Sequence, residues 1–260
     1  MSACKLEKVT TLYSKLAVGP LKGLYKYLTP TAISLSGGIP LDSCFPFHNV
    51  VVNLYDKSVH SNGANSTYSL TNGKDLLLNY HRGDGIPTMK KWIDEHVHEI
   101  HRPIYSPVDS CVTIGSSDSY SKVLQLIKSD VIIYDQFAYG SAVNLSEAMG
   151  KLSVGVPTDD QGMIPSALRK EVLDARQKGL VVNLVYLVPV GHNPSGVTMP
   201  LSRKEELYRV CQELDLIIVE DGKISICFYN LNIFNINLLL LFLLFLQMHT
   251  FICISNFLIP

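Results

Sequence analysis

The sequence predicts an α/β fold in which helices flank a largely parallel sheet. From residue 87 to residue 221, short apolar segments alternate with amphipathic segments of 10 to 13 residues. Connections of that length are typical of the helical crossovers that join parallel strands, whereas a hairpin needs only a short turn. Residues 87–221 are therefore expected to form one α/β domain.

Two smaller segments precede this domain. Residues 1–48 are predicted to form an N-terminal arm and a loop, and the loop contains the irregular glycine- and proline-containing stretch AISLSGGIPLDSCFPF. Residues 49–86 contain two β-rich runs, VVVNLYD and STYSL, on either side of a turn-forming stretch at 60–63. This pattern predicts a hairpin excursion, followed by a linker.

The elements of the main domain follow from local periodicity. A helix over 88–101 places Met89, Trp92, Ile93, Val97 and Ile100 on one face. Segments with similar helical patterning predict further helices at 118–127, 141–149, 165–177 and 202–214. Short runs rich in β-branched residues predict strands at 110–115, 130–135, 152–156, 180–189 and 215–221.

Composition limits the classes of function. The formal net charge is −1 and 47% of the residues are hydrophobic, so the chain has no basic field for nucleic acid and no polybasic membrane patch. The six cysteines are scattered without a CxxC pair. Free thiols fit a reducing compartment, and we expect a cytoplasmic protein.

The loops that follow the strands are where a parallel sheet binds ligands. The sequence contains neither GxGxxG after the first strand nor GxxxxGK followed by Ser or Thr, which counts against dinucleotide and nucleotide binding. Gly115, Ser116 and Ser117 instead lie between a predicted strand and a predicted helix, where backbone N–H groups and hydroxyls can hold a phosphate. Small polar residues at such a position also cap helices for purely structural reasons.

Two other loops carry candidate side chains. Tyr139 follows the strand at 130–135, where its ring can stack on a flat ligand or pack as a half-buried aromatic. Asn193 lies in YLVPVGHNPSG, between proline and glycine residues that make the loop rigid. Its amide can donate a hydrogen bond to a phenolate or carbonyl oxygen, and the alternative is an ordinary proline-rich turn.

Three segments together resemble a known enzyme family. GHNPSGVTMPLSRKEELYRVCQELDLIIVED resembles the NPTG segment of class I aminotransferases of fold type I, which use pyridoxal 5′-phosphate. ISLSGGIP with the following FPF, and LLLNYHRGDGIPTMKKWI, resemble two other segments of the same family. Their order and spacing over residues 10–221 are similar to the branch of aromatic amino acid, kynurenine and 2-aminoadipate aminotransferases. The resemblance implies an incomplete fold type I large domain with an N-terminal arm.

The resemblance implies a cofactor role for residues in three loops. Ser116 and Ser117, after Gly115, would bind the phosphate of pyridoxal 5′-phosphate. Tyr139 would stack on the pyridine ring, and Asn193 would donate a hydrogen bond to the phenolic oxygen of the cofactor.

The resemblance also implies substrates and an assembly. The substrates would be an aromatic or 2-aminoadipate-like amino acid and a 2-oxo acid such as 2-oxoglutarate. The enzyme would be a homodimer in which Tyr80 reaches the phosphate in the partner subunit's site. Gly38 would line the substrate pocket.

Three parts of the family pattern do not occur. The family places a second acid, the partner of the pyridinium nitrogen, where Gly222 follows Asp221. The later SxSK and PGxRxG segments, which supply the Schiff-base lysine and the carboxylate-binding arginine, are absent. Residues 119–122 spell SxSK, but they lie upstream of Asn193 in a predicted helix, so we interpret Lys122 as a surface residue. We assign no catalytic residue and expect the chain as written to be inactive.

The stretch HVHEIH invites a metal-binding interpretation. His96, His98 and His101 do not have the HExxH spacing, and the polar members fall on the solvent side of the predicted helix. We expect a solvated helix face and no metal site.

Composition changes abruptly after Asp221. Residues 224–260 contain no Asp, Glu, Lys or Arg, and Phe, Leu, Ile, Asn, Tyr and Met supply 29 of the 37 positions. A/T-rich DNA translated without selection for a fold gives such a composition, and a splice-donor-like G-GTAAG can encode residues 222 and 223. We interpret 222–260 as translated intron. The alternative is a membrane anchor around 238–246, but polar residues interrupt this segment and flanking basic residues are absent.

Two other functions compete with a truncated aminotransferase. One is a catalytically inactive short form that dimerises or binds cofactor, with or without a membrane tether in its tail. The other is an α/β nucleotide-binding module, and the missing glycine-rich phosphate motifs count against it.

Overall fold

The computed structural model describes residues 9–16, 50–54, 66–70, 78–81, 83–101 and 109–222, with short stretches between residues 19 and 46. The chain divides into two compact units. One consists of Met1–Leu16 and Thr88–Pro260, and the other of Ala17–Pro87. The apolar tail at 223–260 lies outside the described residues.

The unit Ala17–Pro87 contains a two-stranded sheet. β1 (Val50–Leu54) pairs antiparallel with β2 (Ser66–Leu70), so that Val50 lies opposite Leu70. The hairpin predicted from the two β-rich runs is therefore confirmed. Two short 3-10 helices, Leu24–Tyr27 and Asp42–Cys44, precede the hairpin in the chain.

The first helix of the larger unit has the predicted apolar face. α1 (Pro87–His96) begins with a proline, whose fixed φ suits the first position of a helix, and it continues as a π-helix over Val97–His101. Met89, Ile93 and Val97 are buried at four-residue spacing. Trp92 is half-buried and stacks on His96, with ring centroids 5.1 Å apart.

Four parallel strands form the main sheet. They are β3 (Val131–Asp135), β4 (Leu152–Val156), β7 (Val182–Leu187) and β8 (Ile217–Glu220), in the order β4-β3-β7-β8. A small antiparallel pair, β5 (Thr158–Asp159) and β6 (Gly162–Met163), follows β4. The helices are α2 (Ser116–Leu126), α3 (Gly140–Ala148), α4 (Pro165–Gln177) and α5 (Leu201–Glu213). The predicted α/β fold is confirmed.

Helices cover both faces of the sheet, and alternate residues of each strand point to opposite faces. Val131 and Ile133 of β3 belong to the core cluster that contains residues of α4 and α5. Ile132 and Tyr134 belong to the cluster formed with α2 and α3. A strand buried on both sides needs apolar residues at nearly every position, which explains the uninterrupted apolar runs in the sequence.

The strand predicted at 110–115 does not form. These residues are irregular, and the side chains of Cys111 and Ile114 are exposed. β-branched residues favour a strand only where a neighbouring strand supplies hydrogen bonds, and no described strand pairs with this segment. Hydrogen bonds that involve side chains hold this segment instead. The Ser110 hydroxyl donates to Asp94, and the Ile114 N–H donates to the Asp118 carboxylate at 3.1 Å.

Residues before the hairpin unit pack on the end of α2. Thr10 forms an isolated antiparallel bridge with Ile127. The Thr11 N–H donates to the Leu126 carbonyl at 2.8 Å, and the Lys128 N–H donates to the Val9 carbonyl at 2.7 Å. A short stretch of the predicted N-terminal arm is thus hydrogen-bonded to the larger unit.

Candidate functional site

A cavity of about 400 Å³, including the solvent at its mouth, lies at the carboxyl ends of β7 and β8. The start of α2 and the start of α3 complete its walls. The lining residues with polar side chains are Ser116, Ser117, Ser119, Tyr120, Tyr139, Tyr186, Glu220 and Asp221. The strand-end crevice of a parallel sheet is the place where ligand binding is expected, so this cavity is the candidate site.

The start of α2 forms one end of the cavity. Gly115 precedes the helix with φ 106° and ψ 174°, a conformation that only glycine adopts readily. No side chain caps the helix, so the backbone N–H groups around Ser116 and Ser117 have no capping side-chain acceptor. A helix start of this kind attracts anions, because the N–H groups and the helix dipole both present positive charge.

Asp118 holds this helix start in place. Its carboxylate pairs with the Lys122 ammonium and accepts a hydrogen bond from the Ile114 N–H. Both contacts hold the pKa of Asp118 below its ordinary value. The hydrogen bond with Lys122 has the larger effect, and the bond from the Ile114 N–H the smaller. Lys122 is exposed and engaged in this pair, as expected for a surface helix residue.

The ring of Tyr139 forms part of the cavity wall. Tyr139 is the residue immediately before α3, with β-region backbone angles, and its side chain is at the border between half-buried and exposed. Its carbonyl accepts the Ala142 N–H at 2.9 Å, which fixes the backbone at the turn from β3 into α3. The placement leaves an aromatic face available for a flat ligand.

Three buried tyrosines form a cluster, and two of them, Tyr120 and Tyr186, line the cavity. The rings of Tyr120 and Tyr134 lie 5.0 Å and 5.6 Å from the ring of Tyr186, and the hydroxyls of Tyr120 and Tyr134 are 2.7 Å apart. Burial raises the pKa of all three phenols, so they remain protonated at neutral pH. The Tyr186 hydroxyl therefore donates, and it does so to the Asp221 carboxylate at 2.6 Å.

Asp221 is a cavity residue that the sequence interpretation overlooked. With a glycine at 222, the sequence predicts no carboxylate partner for a ring nitrogen. The structure nevertheless brings the Asp221 carboxylate into the same cavity as Tyr139. The available signal was strand alternation, since Asp221 is two residues beyond Val219, which packs in the cluster with α2 and α3.

The remaining predicted residues are not among those that line the cavity. Asn193 is exposed at the tip of the turn after β7 and is not among the residues that line the cavity. Its peptide bond to Pro194 is cis. Tyr80 is exposed and Gly38 has φ 56°, and both belong to the unit Ala17–Pro87.

Metal and membrane interpretations find no support in the part of the chain that the structure describes. His98 is exposed and His96 stacks on Trp92. Among the described residues, no three His, Cys, Asp or Glu side chains are grouped in a way that would hold a metal ion. Within the same residues, no helix has the length and apolar character needed to span a membrane.

Curated aminotransferases are similar to most of the chain, although no protein-family model matches it. An aromatic amino acid aminotransferase of Schizosaccharomyces pombe is 31% identical over 205 residues, which are 73% of this chain and 43% of that protein. The mitochondrial kynurenine/α-aminoadipate aminotransferase of Bos taurus is 30% identical over 216 residues, 74% of this chain and 47% of that protein. The chain thus spans less than half the length of either relative.

Solved structures show the same fold. The aminotransferase Aro8 of Candida albicans matches with a TM-score of 0.75 and 26% identity, over 84% of this chain and 49% of that chain. The kynurenine aminotransferase of Pyrococcus horikoshii, solved with PMP, matches with a TM-score of 0.51 and 20% identity, over 84% and 52% of the two chains. At that identity the second match supports the fold alone.

The chain belongs to the fold type I aminotransferases, of which it represents part of the complete fold. The curated relatives that match it are named for aromatic amino acids, kynurenine and α-aminoadipate. The family resemblance and the fold inferred from the sequence are therefore confirmed.

Proposed function

We propose that this chain is the cofactor-binding portion of a pyridoxal 5′-phosphate-dependent aminotransferase. The complete enzyme would exchange an amino group between an aromatic or 2-aminoadipate-like amino acid and a 2-oxo acid such as 2-oxoglutarate. It would act as a homodimer in the cytoplasm. The names of the relatives and the fold support the reaction class, and the cavity at the strand ends supports the cofactor.

The composition of the cavity carries the proposal. An uncapped helix start suits a phosphate dianion, the Tyr139 ring suits one face of a pyridine, and the Asp221 carboxylate suits a protonated ring nitrogen. The residues present therefore fit the cofactor.

Each residue then has a definite task. The backbone N–H groups and hydroxyls of Ser116 and Ser117 would hold the phosphate, and Tyr139 would cover the ring. Tyr186 donates to Asp221 and so keeps that carboxylate oriented toward the cavity. Asn193 would donate to the phenolic oxygen. The bound cofactor supplies the electron sink that makes the α-proton of an amino acid acidic.

We propose that the 260-residue chain binds the cofactor but does not catalyse transamination. Among the described residues, none of the side chains that line the cavity is a lysine or an arginine. The site thus has neither an amine to form the imine and move the α-proton nor a guanidinium to clamp the substrate carboxylate. The chain would then correspond to the inactive short form, which the sequence leaves open as an alternative.

Pyridoxamine 5′-phosphate is the probe that tests the proposal. Because it carries an amine where pyridoxal phosphate carries an aldehyde, it forms no adventitious imines with surface lysines. We expect saturable binding by calorimetry and much weaker binding of pyridoxamine without the phosphate. A wild-type chain that binds neither compound would contradict the proposed function.

A substitution that introduces a negative charge tests whether the phosphate binds at the start of α2. Ser117→Glu places a carboxylate at the exposed start of α2 and should reduce the affinity for pyridoxamine phosphate about tenfold or more, since like charges repel within a few ångström. Gln125→Glu adds the same charge near the other end of the same helix and is the matched control. Equal losses in both variants would show that only net charge matters.

A further inference from the structure

Three polar side chains that the cofactor cavity does not use meet at a second cavity. This cavity, of about 310 Å³ including open solvent, lies at the carboxyl edge of the sheet, and its lining includes Asp135, His192 and Ser195. Met199, which also lines it, packs in the core cluster with α4 and α5. The second cavity is therefore on the opposite face of the sheet from the tyrosine cluster.

The three side chains form a continuous chain of contacts. Asp135 is the last residue of β3 and only 3% exposed, and its Oδ2 lies 3.3 Å from Nε2 of the buried His192. On the other side of the imidazole, Nδ1 lies 2.8 Å from the Ser195 hydroxyl oxygen and 3.4 Å from the Ser195 backbone nitrogen. A buried aspartate of one strand is thus connected to the turn that follows another strand.

These contacts select one tautomer of His192. The Ser195 backbone N–H can only donate, so Nδ1 must be an acceptor. The ring proton is then on Nε2, where it faces the Asp135 carboxylate. The imidazole thus directs its N–H toward β3 and accepts from its own turn.

His192 is buried at the base of the turn that carries Asn193. The His192 N–H donates to the Val197 carbonyl at 2.8 Å, and the Gly196 N–H donates to the His192 carbonyl at 2.6 Å. These bonds close the turn, while the Asn193 side chain, next in sequence, is exposed. Through the His192 side chain, this small turn contacts the end of β3.

Asp135 depends on this contact. Among the residues that the structure describes, no group donates to its other oxygen, Oδ1, which is also buried. A buried carboxylate without a partner is strongly unfavourable, so the carboxylate favours the arrangement in which the His192 ring faces it. The position of the turn is therefore coupled to the end of β3.

We propose that Asp135 and His192 are positioning residues for Asn193. Their contact at 3.3 Å, continued by the hydrogen bonds between His192 and Ser195, sets the direction of the turn and hence of the Asn193 amide that would donate to the cofactor's phenolic oxygen. The inference rests on the proposed function and adds to it. A small displacement of the Asn193 amide would weaken its hydrogen bond steeply. Loss of the positioning contact should therefore reduce affinity only for ligands that carry the phenolic oxygen.

The test compares two ligands on the full 260-residue chain. One is pyridoxamine 5′-phosphate and the other is its analogue without the 3-hydroxyl, which cannot accept from Asn193. Asp135→Leu removes the acceptor without leaving a buried charge, and circular dichroism checks that the variant folds. We expect the affinity for pyridoxamine phosphate to fall about tenfold and that for the analogue to change less than about twofold.

Two further variants separate positioning from general stability. In Asp135→Asn the amide oxygen can still accept from Nε2, so this variant should retain the affinity for pyridoxamine phosphate within about twofold. Thr158→Val changes another residue of the second cavity that is outside the hydrogen-bonded chain, and it should leave both affinities unchanged. An equal loss for both ligands in Asp135→Leu, or no rescue by asparagine, would overturn the inference.

The outcomes also separate this inference from the proposed function. If the wild-type chain binds pyridoxamine phosphate and the analogue equally well, the cofactor site stands and the positioning role is wrong. If the wild-type chain binds neither pyridoxamine phosphate nor the analogue, both the proposed function and this inference are wrong. A readout without ligand is the ¹⁵N spectrum of the His192 ring, which should show the Nε2–H tautomer in the wild type. A mixture of tautomers in the wild type would count against the proposed hydrogen-bond chain.

Discussion

Gly115 shows how one residue without a side chain shapes the candidate site. Its backbone lies at φ 106° and ψ 174°, where a Cβ atom is strongly disfavoured, and this conformation turns the chain directly into the first turn of α2. The glycine thereby exposes the backbone N–H groups of the helix start to the cavity. Its role is conformational, whereas the neighbouring serines contribute polar groups.

Replacement of this glycine should therefore damage both stability and binding. For Gly115→Ala we expect a loss of about 1–3 kcal/mol in the free energy of unfolding, the cost of such a backbone conformation for a residue with a side chain. We also expect much weaker binding of pyridoxamine phosphate. Urea unfolding and calorimetry measure the two effects.

Gly140→Ala is the control for this substitution. Gly140 is the first residue of α3, its φ is not positive, and a Cβ there meets no atom within 4 Å. We expect this variant to be as stable as the wild type or slightly more stable, because alanine favours the helix. Equal losses at both glycines would contradict the assigned role of Gly115.

At the scale of elements, α2 illustrates how a helix start can remain open and still be stable. In place of a capping side chain, Asp118 in the first turn accepts the Ile114 N–H and pairs with Lys122 one turn later. An acid in the first turn also interacts favourably with the helix dipole. The stabilising contacts are thus beside the cavity and leave its N–H groups available.

This arrangement predicts a specific pH dependence. Because the pKa of Asp118 is lower in the folded chain than its ordinary value of 3.8, the carboxylate stabilises the fold above pH 3.8. That contribution should disappear as the pH falls below 3.8 and through the lower folded pKa. The stability difference between wild type and Asp118→Asn, measured by urea unfolding at several pH values, should shrink over that range.

Lys122→Met provides the matched comparison for the pH series. It removes the largest cause of the lowered pKa and keeps the bond from Ile114, so its own pH-dependent difference should be smaller but of the same sign. A difference between wild type and Asp118→Asn that stays constant with pH would show that the carboxylate charge does not contribute.

Elements with a strong local pattern could be predicted from the sequence, and contacts across the sheet could not. The helix at 165–177 and the strand at 152–156 have the predicted bounds, because apolar spacing and a helix-starting proline are local signals. The prediction of a strand at 110–115 was wrong, because strand formation depends on a pairing partner that the local sequence does not specify. Likewise, loop position is enough to single out Ser116 and Tyr139, which both line the cavity, whereas the contact of Asp135 with His192 depends on tertiary structure.

At the scale of the whole molecule, our proposal separates cofactor binding from catalysis. The cavity collects groups suited to phosphate, ring and ring nitrogen from α2, α3 and the end of β8. The curated relatives that match are more than twice as long as the matched span. A chain of this extent can present a binding surface while the reaction needs further groups.

We therefore expect no transamination by the 260-residue chain. Purified protein would be incubated with pyridoxal phosphate, 2-oxoglutarate, and either an aromatic amino acid or 2-aminoadipate, and glutamate would be measured. The amount formed should equal that of free cofactor without protein, since no described lysine lines the cavity. Turnover clearly above that background would contradict the prediction, and Lys122→Met would then show whether Lys122 supplies the amine.

The alternation of residues along β3 has a consequence for how the gene can change. Tyr134 contributes to the tyrosine cluster on one face of the sheet, and Asp135, the next residue, contacts His192 on the other. Gain or loss of a single codon within this strand would exchange the two faces and disrupt both hydrogen-bond systems at once. Substitutions here can be tolerated one face at a time, whereas length variation among descendants of this gene should be confined to segments outside β3.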